Sequence, residues 1–181
     1  MPRPTPFHAR TSALCQSWRY ADWAGWIAVS RYGHTLDPEY NAIRQSAGLL
    51  DVTPLYKYDV VGPDAGAFLS RVMVRNVSKM KRGRMTYLCW CDDEGKVLDD
   101  GTCARLDTDW YRVTAAAPAW WWLMRHAEPY DVEVSDVTED LAALALQGPT
   151  SRDILRQVCD ADLDALGFFG VAACDLAGAP G

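Results

Sequence analysis

The segment CWCDDEGKVLDDGTCARL, residues 89–106, carries four aspartates and three cysteines in eighteen residues of a largely apolar chain. Clustered carboxylates can bind a cation, stabilise a positive charge or accept a proton, and thiols can bind a metal or undergo redox chemistry. A hydrated surface turn can have the same composition. The secondary structure that holds these side chains decides among the alternatives.

The cysteines do not follow the pattern of a zinc site. Zinc sites usually contain cysteine pairs separated by two residues, whereas only Cys89 and Cys91 are close here, and a single residue separates them. The chain has only three histidines, and it is longer than the small secreted domains that disulfides stabilise. We interpret all six cysteines as small buried hydrophobic residues and expect no metal site.

The loop DDEG, residues 92–95, lies between two segments of alternating character and predicts a β-hairpin. With a four-residue loop, the register gives three cross-strand pairs: Tyr87 with Asp100, Leu88 with Asp99, and Trp90 with Val97. A slip of one residue would undo this pairing.

The adjacent aspartates Asp99 and Asp100 must point to opposite faces of the sheet. Leu98, Thr102 and Ala104 share the face of Asp100, and we expect that face to be the more apolar one. An unpaired carboxylate on an apolar face is costly, so Asp100 either meets a ligand cation or amine or accepts a structural hydrogen bond. The three acidic residues of the loop, Asp92, Asp93 and Glu94, are explained by exposure to water in a turn and require no ligand.

The elements around the hairpin alternate irregularly between strand and helix. Strands are predicted at 55–61, 84–91, 96–106, 109–117 and 130–137, and helices over 37–48, 63–72 and 118–126. The segment LAALALQGPTSRDILRQV, residues 141–158, repeats the order strand, Gly-Pro, helix that begins at 55. This pattern favours an α+β fold with antiparallel sheets and packed helices.

Charge and hydropathy exclude several classes of protein. A net charge of −6 disfavours nucleic-acid binding, and no apolar run approaches the roughly 18 residues of a membrane span. The first residues lack the apolar core of a signal peptide, so we expect a cytoplasmic protein. The run RVMVRNVSKMKRGR, residues 71–84, has six cationic residues and no acid. It is either a solvated surface or a docking patch for a polyanionic ligand tail or an acidic partner.

Six segments together resemble the tetrahydrofolate-dependent aminomethyltransferase family, which includes the glycine-cleavage T-protein. They occur in the family's order through almost the whole chain: TPF at 5–7, WAGW at 23–26, EYNAIRQSAGLLDVT at 39–53, VGPDAGAFL at 61–69, DDEGKVLDD at 92–100, and VEVSDVTEDLAALALQGPTSRDIL at 132–155. Each segment is modest alone, whereas the ordered set is specific to this family.

The resemblance implies two intertwined modules of a folate-binding fold. Residues 1–50 and 140–181 would form the first module, which would be incomplete, and 51–139 would form an inserted second module that carries the hairpin. The family's C-terminal β-barrel would be absent, and a piece of this length would be inactive alone. In the family, the second aspartate of the DD pair is catalytic and an aromatic residue of the preceding strand lines the pterin site. These roles fall on Asp100 and Tyr87, and a strand-end folate contact falls on Thr114.

The implied activity is transfer of a one-carbon unit from a small methylated or aminomethylated substrate to tetrahydrofolate. Two departures from the T-protein pattern favour a demethylase or methyltransferase branch: TPLYKY follows DV at 51–52, and VTAAA replaces the asparagine-rich VNAAN at 113–117. One alternative is the glycine-cleavage aminomethyltransferase itself, with a lipoyl carrier protein as partner. Another is a non-catalytic folate-binding protein of the iron–sulfur maintenance type.

Overall fold

The computed structural model describes residues 1–180, which contain twelve strands and five helices. The strands are β1 (Arg3–Pro4), β2 (Arg19–Trp23), β3 (Trp26–Arg31), β4 (Gly48–Asp51), β5 (Tyr56–Val61), β6 (Arg84–Cys91), β7 (Val97–Asp107), β8 (Trp110–Ala115), β9 (Glu133–Asp136), β10 (Leu144–Gln147), β11 (Asp175–Leu176) and β12 (Ala179–Pro180). The helices are α1 (His8–Leu14), α2 (Asp37–Gln45), α3 (Ala65–Val72), α4 (Trp120–Ala127) and α5 (Ser151–Leu155).

The chain divides into two compact units. Unit 1 comprises Met1–Pro54, Leu141–Leu163 and the segment from Cys174 onward, and unit 2 comprises Leu55–Asp140 and Asp164–Ala173. The sequence predicts that all of 140–181 belongs to the first module, whereas in the structure Asp164–Ala173 belongs to unit 2. This segment packs with unit 2 because it exchanges backbone hydrogen bonds with the start of β6, including Met85 N to Phe169 O at 2.9 Å.

Unit 2 is built on a five-stranded antiparallel sheet in the order β6-β7-β8-β5-β9. Alternate residues of each strand bury one face of this sheet against α3 and α4, as a period of two requires. The largest fully buried side chains of this core are Trp90, Tyr58, Tyr111, Phe68, Leu69 and Leu123. The opposite face carries other polar residues of the same strands, including Asp100, Arg112 and Thr114.

Unit 1 contains a three-stranded sheet in the order β1-β3-β2 and the antiparallel pair β10-β4, with α1, α2 and α5 beside them. Apart from the parallel β1–β3 contact, the strand pairs of both units are antiparallel within residues 1–180. The expectation of an α+β fold with antiparallel sheets is therefore confirmed. The repeated order strand, Gly-Pro, helix is realised by β5 with α3 and by β10 with α5.

Helix α4 places its three consecutive tryptophans in different surroundings. Leu123 and Ala127 point into the core, Trp122 is half-buried against His126, and Trp121 is 67% exposed under the guanidinium of Arg125. Adjacent helical positions are about 100° apart, so one face cannot hold all three rings. Among the described helices, none has the length and apolar character that crossing a membrane requires.

Cys103 of β7 is fully buried in the core of unit 2, and burial raises the pKa of its thiol from 9.0 to about 12. The native state keeps the thiol protonated after the unfolded chain has lost that proton. The stability that comes from keeping the buried thiol neutral is therefore complete below pH 9 and is lost as the pH rises towards 12. We predict that Cys103 lowers the free energy of unfolding by about 1.4 kcal/mol per pH unit in this range.

Urea denaturation of the wild type and of Cys103→Val at about pH 8 and pH 10.5 measures this effect. Valine fills a similar volume and has no proton to lose, so the variant should lose less stability than the wild type between the two conditions. Parallel losses in both proteins would show that Cys103 does not contribute.

Candidate functional site

The hairpin between β6 and β7 has a different register from the predicted one. Tyr87 pairs with Thr102, Leu88 with Gly101, Cys89 with Asp100, and Trp90 with Asp99. The loop also includes Lys96, whose carbonyl accepts a hydrogen bond from Asp92 N at 2.9 Å, and a bulge follows between Trp90 and Cys91. Loop and bulge each shift the pairing by one residue. The predicted partners are therefore wrong, whereas every side chain keeps its predicted side of the strand because the two shifts add to two.

Tyr87 and Asp100 nevertheless meet, along the diagonal of the hairpin instead of directly across it. The Tyr87 hydroxyl donates a short hydrogen bond to Oδ2 of Asp100, and both residues are exposed. Tyr87 is 58% exposed. Within residues 1–180, Oδ1 of Asp100 has no hydrogen-bond partner. The face of Asp100 is the one that α3 and α4 do not cover, here called the open face, and the expectation that it is the more apolar one is wrong.

The hydrogen bond to Asp100 is the main cause of a raised pKa at Tyr87, followed by partial desolvation and the negative charge of the carboxylate. The ordinary pKa of tyrosine is 10.0, so Tyr87 keeps its proton throughout the neutral range. Tyr87 therefore remains a hydrogen-bond donor to Asp100 at any pH at which the protein would work.

Asp99 is the aspartate on the core side of β7, opposite the buried Trp90. Its Oδ2 accepts hydrogen bonds from the backbone N–H groups of Ala116 at 3.0 Å and Ala117 at 2.8 Å. These contacts hold the loop after β8 against β7. The two adjacent aspartates thus have different roles. Asp99 fixes the backbone of the loop after β8, and Asp100 lies on the open face.

Thr114 lies on the same open face as Asp100, two strands away from Tyr87. Its hydroxyl lies 2.7 Å from that of Thr102 and accepts a hydrogen bond from Thr102 N at 3.1 Å. The structure therefore brings Tyr87, Asp100 and Thr114 to one face, with Thr102 as the link between them. The role of Thr114 as a ligand contact stays a prediction, and part of its hydrogen-bonding capacity is used by Thr102.

Several polar residues of this face are not predicted from the sequence. Asp59 and Arg112 form an ion pair through two hydrogen bonds of 2.7 and 2.8 Å, and Lys57 is buried beside them on β5. Cys89, directly opposite Asp100, lies on the face as well. The alternating polar positions of YKYDVV, residues 56–61, and WYRVTA, residues 110–115, carry the signal that could have found this face.

The cationic run lines a groove of about 370 Å³ in unit 2, at the start of β6. Its walls include the cationic residues Arg75, Lys79, Lys81 and Arg84 and no acidic residue. Arg75 donates a hydrogen bond to Thr86 Oγ1 at 2.8 Å, which fixes its guanidinium. The groove is thus a concave cationic surface, whereas Arg82 pairs with Asp107 outside it.

Comparison with known structures supports the fold. The glycine cleavage system aminomethyltransferase T from Bartonella henselae superposes with a TM-score of 0.82 at 23% identity, over 94% of this chain and 47% of that one. A heterotetrameric sarcosine oxidase from a Corynebacterium species gives a TM-score of 0.55 at 20% identity, over 80% of this chain and 75% of that one. At these identities the likeness concerns the fold.

Curated relatives match the chain at higher sequence identity than these solved structures do. The aminomethyltransferase of Herpetosiphon aurantiacus is 33% identical over 99% of this chain and 50% of its own length. That of Streptomyces coelicolor is 37% identical over 88% of this chain and 44% of its own length. The chain thus spans about half the length of the curated relatives it matches. A family model described as the GCVT N-terminal domain matches residues 8–181, and the chain therefore belongs to the GCVT N-terminal domain family.

Proposed function

We propose that this chain takes part in tetrahydrofolate-dependent transfer of an aminomethyl group, with the open face of the β6–β7 hairpin as the folate site. The observation that carries the proposal is the pairing of Tyr87 with Asp100 on an exposed sheet face. The names of the curated relatives support aminomethyl transfer better than the demethylase or methyltransferase branch that the sequence departures favour. We therefore prefer the glycine-cleavage type of reaction.

The residues of this face fit a reduced pterin. The exposed ring of Tyr87 offers a surface on which a planar ligand can stack, and Oδ1 of Asp100 can accept a hydrogen bond from a ligand N–H group. Thr102 and Thr114 add hydroxyl groups to the same face. When bound, tetrahydrofolate would supply the nitrogen that receives the one-carbon unit.

Asp100 is proposed to stabilise positive charge at the transferred group and to accept a proton at Oδ1. The hydrogen bond from Tyr87 fixes the position of the carboxylate, so little reorganisation is needed when charge develops. A ligand seated over Tyr87 would also exclude water from Asp100, which strengthens the electrostatic effect of the carboxylate. Asp99 contributes indirectly, because it holds the β8 loop in place.

Tetrahydrofolate binding, followed by tryptophan fluorescence, tests the location of the site. The wild type should bind, and Asp100→Ala should bind much more weakly. Asp93→Ala is a matched control, because Asp93 is an exposed carboxylate of the same hairpin on the loop side. Equal binding by all three proteins would place the folate elsewhere, and no binding by the wild type would refute the folate site.

A second assay separates the two reaction branches. Transfer from an aminomethylated lipoyl carrier protein should be faster than transfer from free methylated amines if the glycine-cleavage type is correct. Turnover of a small methylated donor without a carrier would instead support the demethylase branch. Folate binding without any transfer would support a non-catalytic relative.

The cationic groove is proposed to bind the polyanionic tail of a folate with several glutamates. We predict that the affinity increases with tail length and that this gain disappears at high salt, because the cations of the groove are exposed to water. Lys79→Gln with Lys81→Gln should reduce the gain for a long tail and leave the affinity for the monoglutamate unchanged. A tail-length effect that is insensitive to salt and to these substitutions would exclude the groove.

A further inference from the structure

Two thiols and a carboxylate meet in unit 1, away from the residues used by the proposed function. The sulfur atoms of Cys159 and Cys174 and a carboxylate oxygen of Asp160 all lie within 4.8 Å of one another. Both cysteines are free and half-buried, whereas Asp160 is exposed. Cys159 follows α5 and Cys174 precedes β11, so the two thiols come from segments that are distant in sequence.

Backbone hydrogen bonds hold the two segments together. Asp160 N donates to Asp175 O at 3.2 Å, Ala177 N donates to Val158 O at 2.6 Å, and Cys159 forms an isolated β-bridge with Leu176. In addition, Asp175 N donates to Oδ1 of Asp160 at 2.7 Å, which orients this carboxylate. The three side chains are thus positioned by the fold and not by one flexible loop.

A backbone contact positions the sulfur of Cys159 beside that of Cys174. The backbone N–H of Ala161 donates to the sulfur of Cys159 at 3.4 Å, and the sulfur of Cys174 lies within 4.8 Å of that of Cys159. A backbone amide that donates to sulfur orients that sulfur, and hydrogen bonds of this kind are found at sulfur ligands in metal centres. Hydrogen bonds to both a sulfur and the carboxylate also correspond to the outer contacts that orient metal ligands.

We propose that Cys159, Cys174 and Asp160 form a site for zinc or a chemically similar divalent cation. Zinc accepts sulfur and carboxylate oxygen ligands in one tetrahedral site, whereas magnesium and calcium prefer oxygen alone. Binding would release the two thiol protons, and two thiolates with one carboxylate would offset the charge of the ion. Water would occupy the fourth position. The ion would tie the segment at Cys174 to the end of α5.

Titration of the reduced, chelator-treated protein with Co²⁺ tests this site, because a thiolate bound to Co²⁺ absorbs in the near ultraviolet. We expect this absorption to saturate at one ion per chain and to disappear when Zn²⁺ is added. Cys159→Ser and Cys174→Ser should abolish it, and Asp160→Asn should weaken Co²⁺ binding about 10-fold or more. Cys91→Ser removes a thiol of unit 2 and should change nothing.

Alkylation of the wild type provides a readout that does not depend on the folding of variants. Zn²⁺ should slow the modification of Cys159 and Cys174, followed by mass spectrometry, without protecting Cys89. The proposal is overturned if the reduced protein shows no thiolate absorption with Co²⁺ or if that absorption persists in Cys159→Ser. Formation of a Cys159–Cys174 disulfide in air, with no metal binding after reduction, would identify a redox pair instead and would also overturn it.

Discussion

Asp100→Asn should leave the fold intact and lower the rate of one-carbon transfer to tetrahydrofolate by at least about 100-fold, the scale on which a charge-stabilising group acts. Asparagine keeps the shape of the side chain and can still accept the hydrogen bond from Tyr87. It lacks the negative charge and cannot accept the proton at Oδ1. The measurement is the single-turnover rate of the wild type and of Asp100→Asn, together with the unfolding midpoint of each protein.

Two further variants distinguish catalysis by Asp100 from a general effect of charge. Asp93→Asn removes a carboxylate from the exposed loop of the same hairpin and should retain the full rate. Tyr87→Phe keeps the ring and removes the donor to Asp100, so it should lower the rate by at most about 10-fold, the value of one hydrogen bond. An Asp100→Asn protein with wild-type activity would remove Asp100 from the mechanism.

The hairpin shows which structural features the sequence pattern predicts and which it does not. Alternating residues predict β6 at its observed bounds and β7 to within one residue, because one face of each strand is buried. The loop length and the bulge at Cys91 depend on local hydrogen bonds of Asp92 that alternation does not report. The predicted register places Tyr87 directly opposite Asp100. The observed register differs from it by two residues, an even number, so both side chains stay on one face and meet along the diagonal.

The choice of the buried face could not be made from β7 alone. Leu98 and Ala104 suggest that the face of Asp100 is apolar, yet α3 and α4 cover the other face, where Cys103 and Leu88 are buried. Which face receives the helices is decided by distant contacts. The same limitation applies to the cysteines. Cys15 and Cys103 are buried as expected, whereas the expectation is wrong for the other four, which are only half-buried: Cys89, Cys91, Cys159 and Cys174. Cys159 and Cys174 become neighbours only through tertiary structure.

Gly101→Ala should be the most destabilising small substitution near the site, with a loss of about 3 kcal/mol. A Cβ atom at Gly101 would lie 1.8 Å from the carbonyl oxygen of Thr114 and 2.8 Å from its carbonyl carbon. Both atoms belong to the backbone of β8, so they cannot move aside as a flexible side chain can. The strands β7 and β8 would have to separate beside the proposed folate contacts.

Urea denaturation of Gly101→Ala, with Gly167→Ala as the matched control, measures this cost. A Cβ atom at Gly167 would meet only Nη1 of Arg84, at 3.5 Å, so the control should stay within about 1 kcal/mol of the wild type. Equal midpoints for the two variants would show that β7 and β8 separate easily. If Gly101→Ala is unstable as expected, the close approach of the two strands fixes the distance between Asp100 and Thr114, and a larger residue at 101 is incompatible with the site.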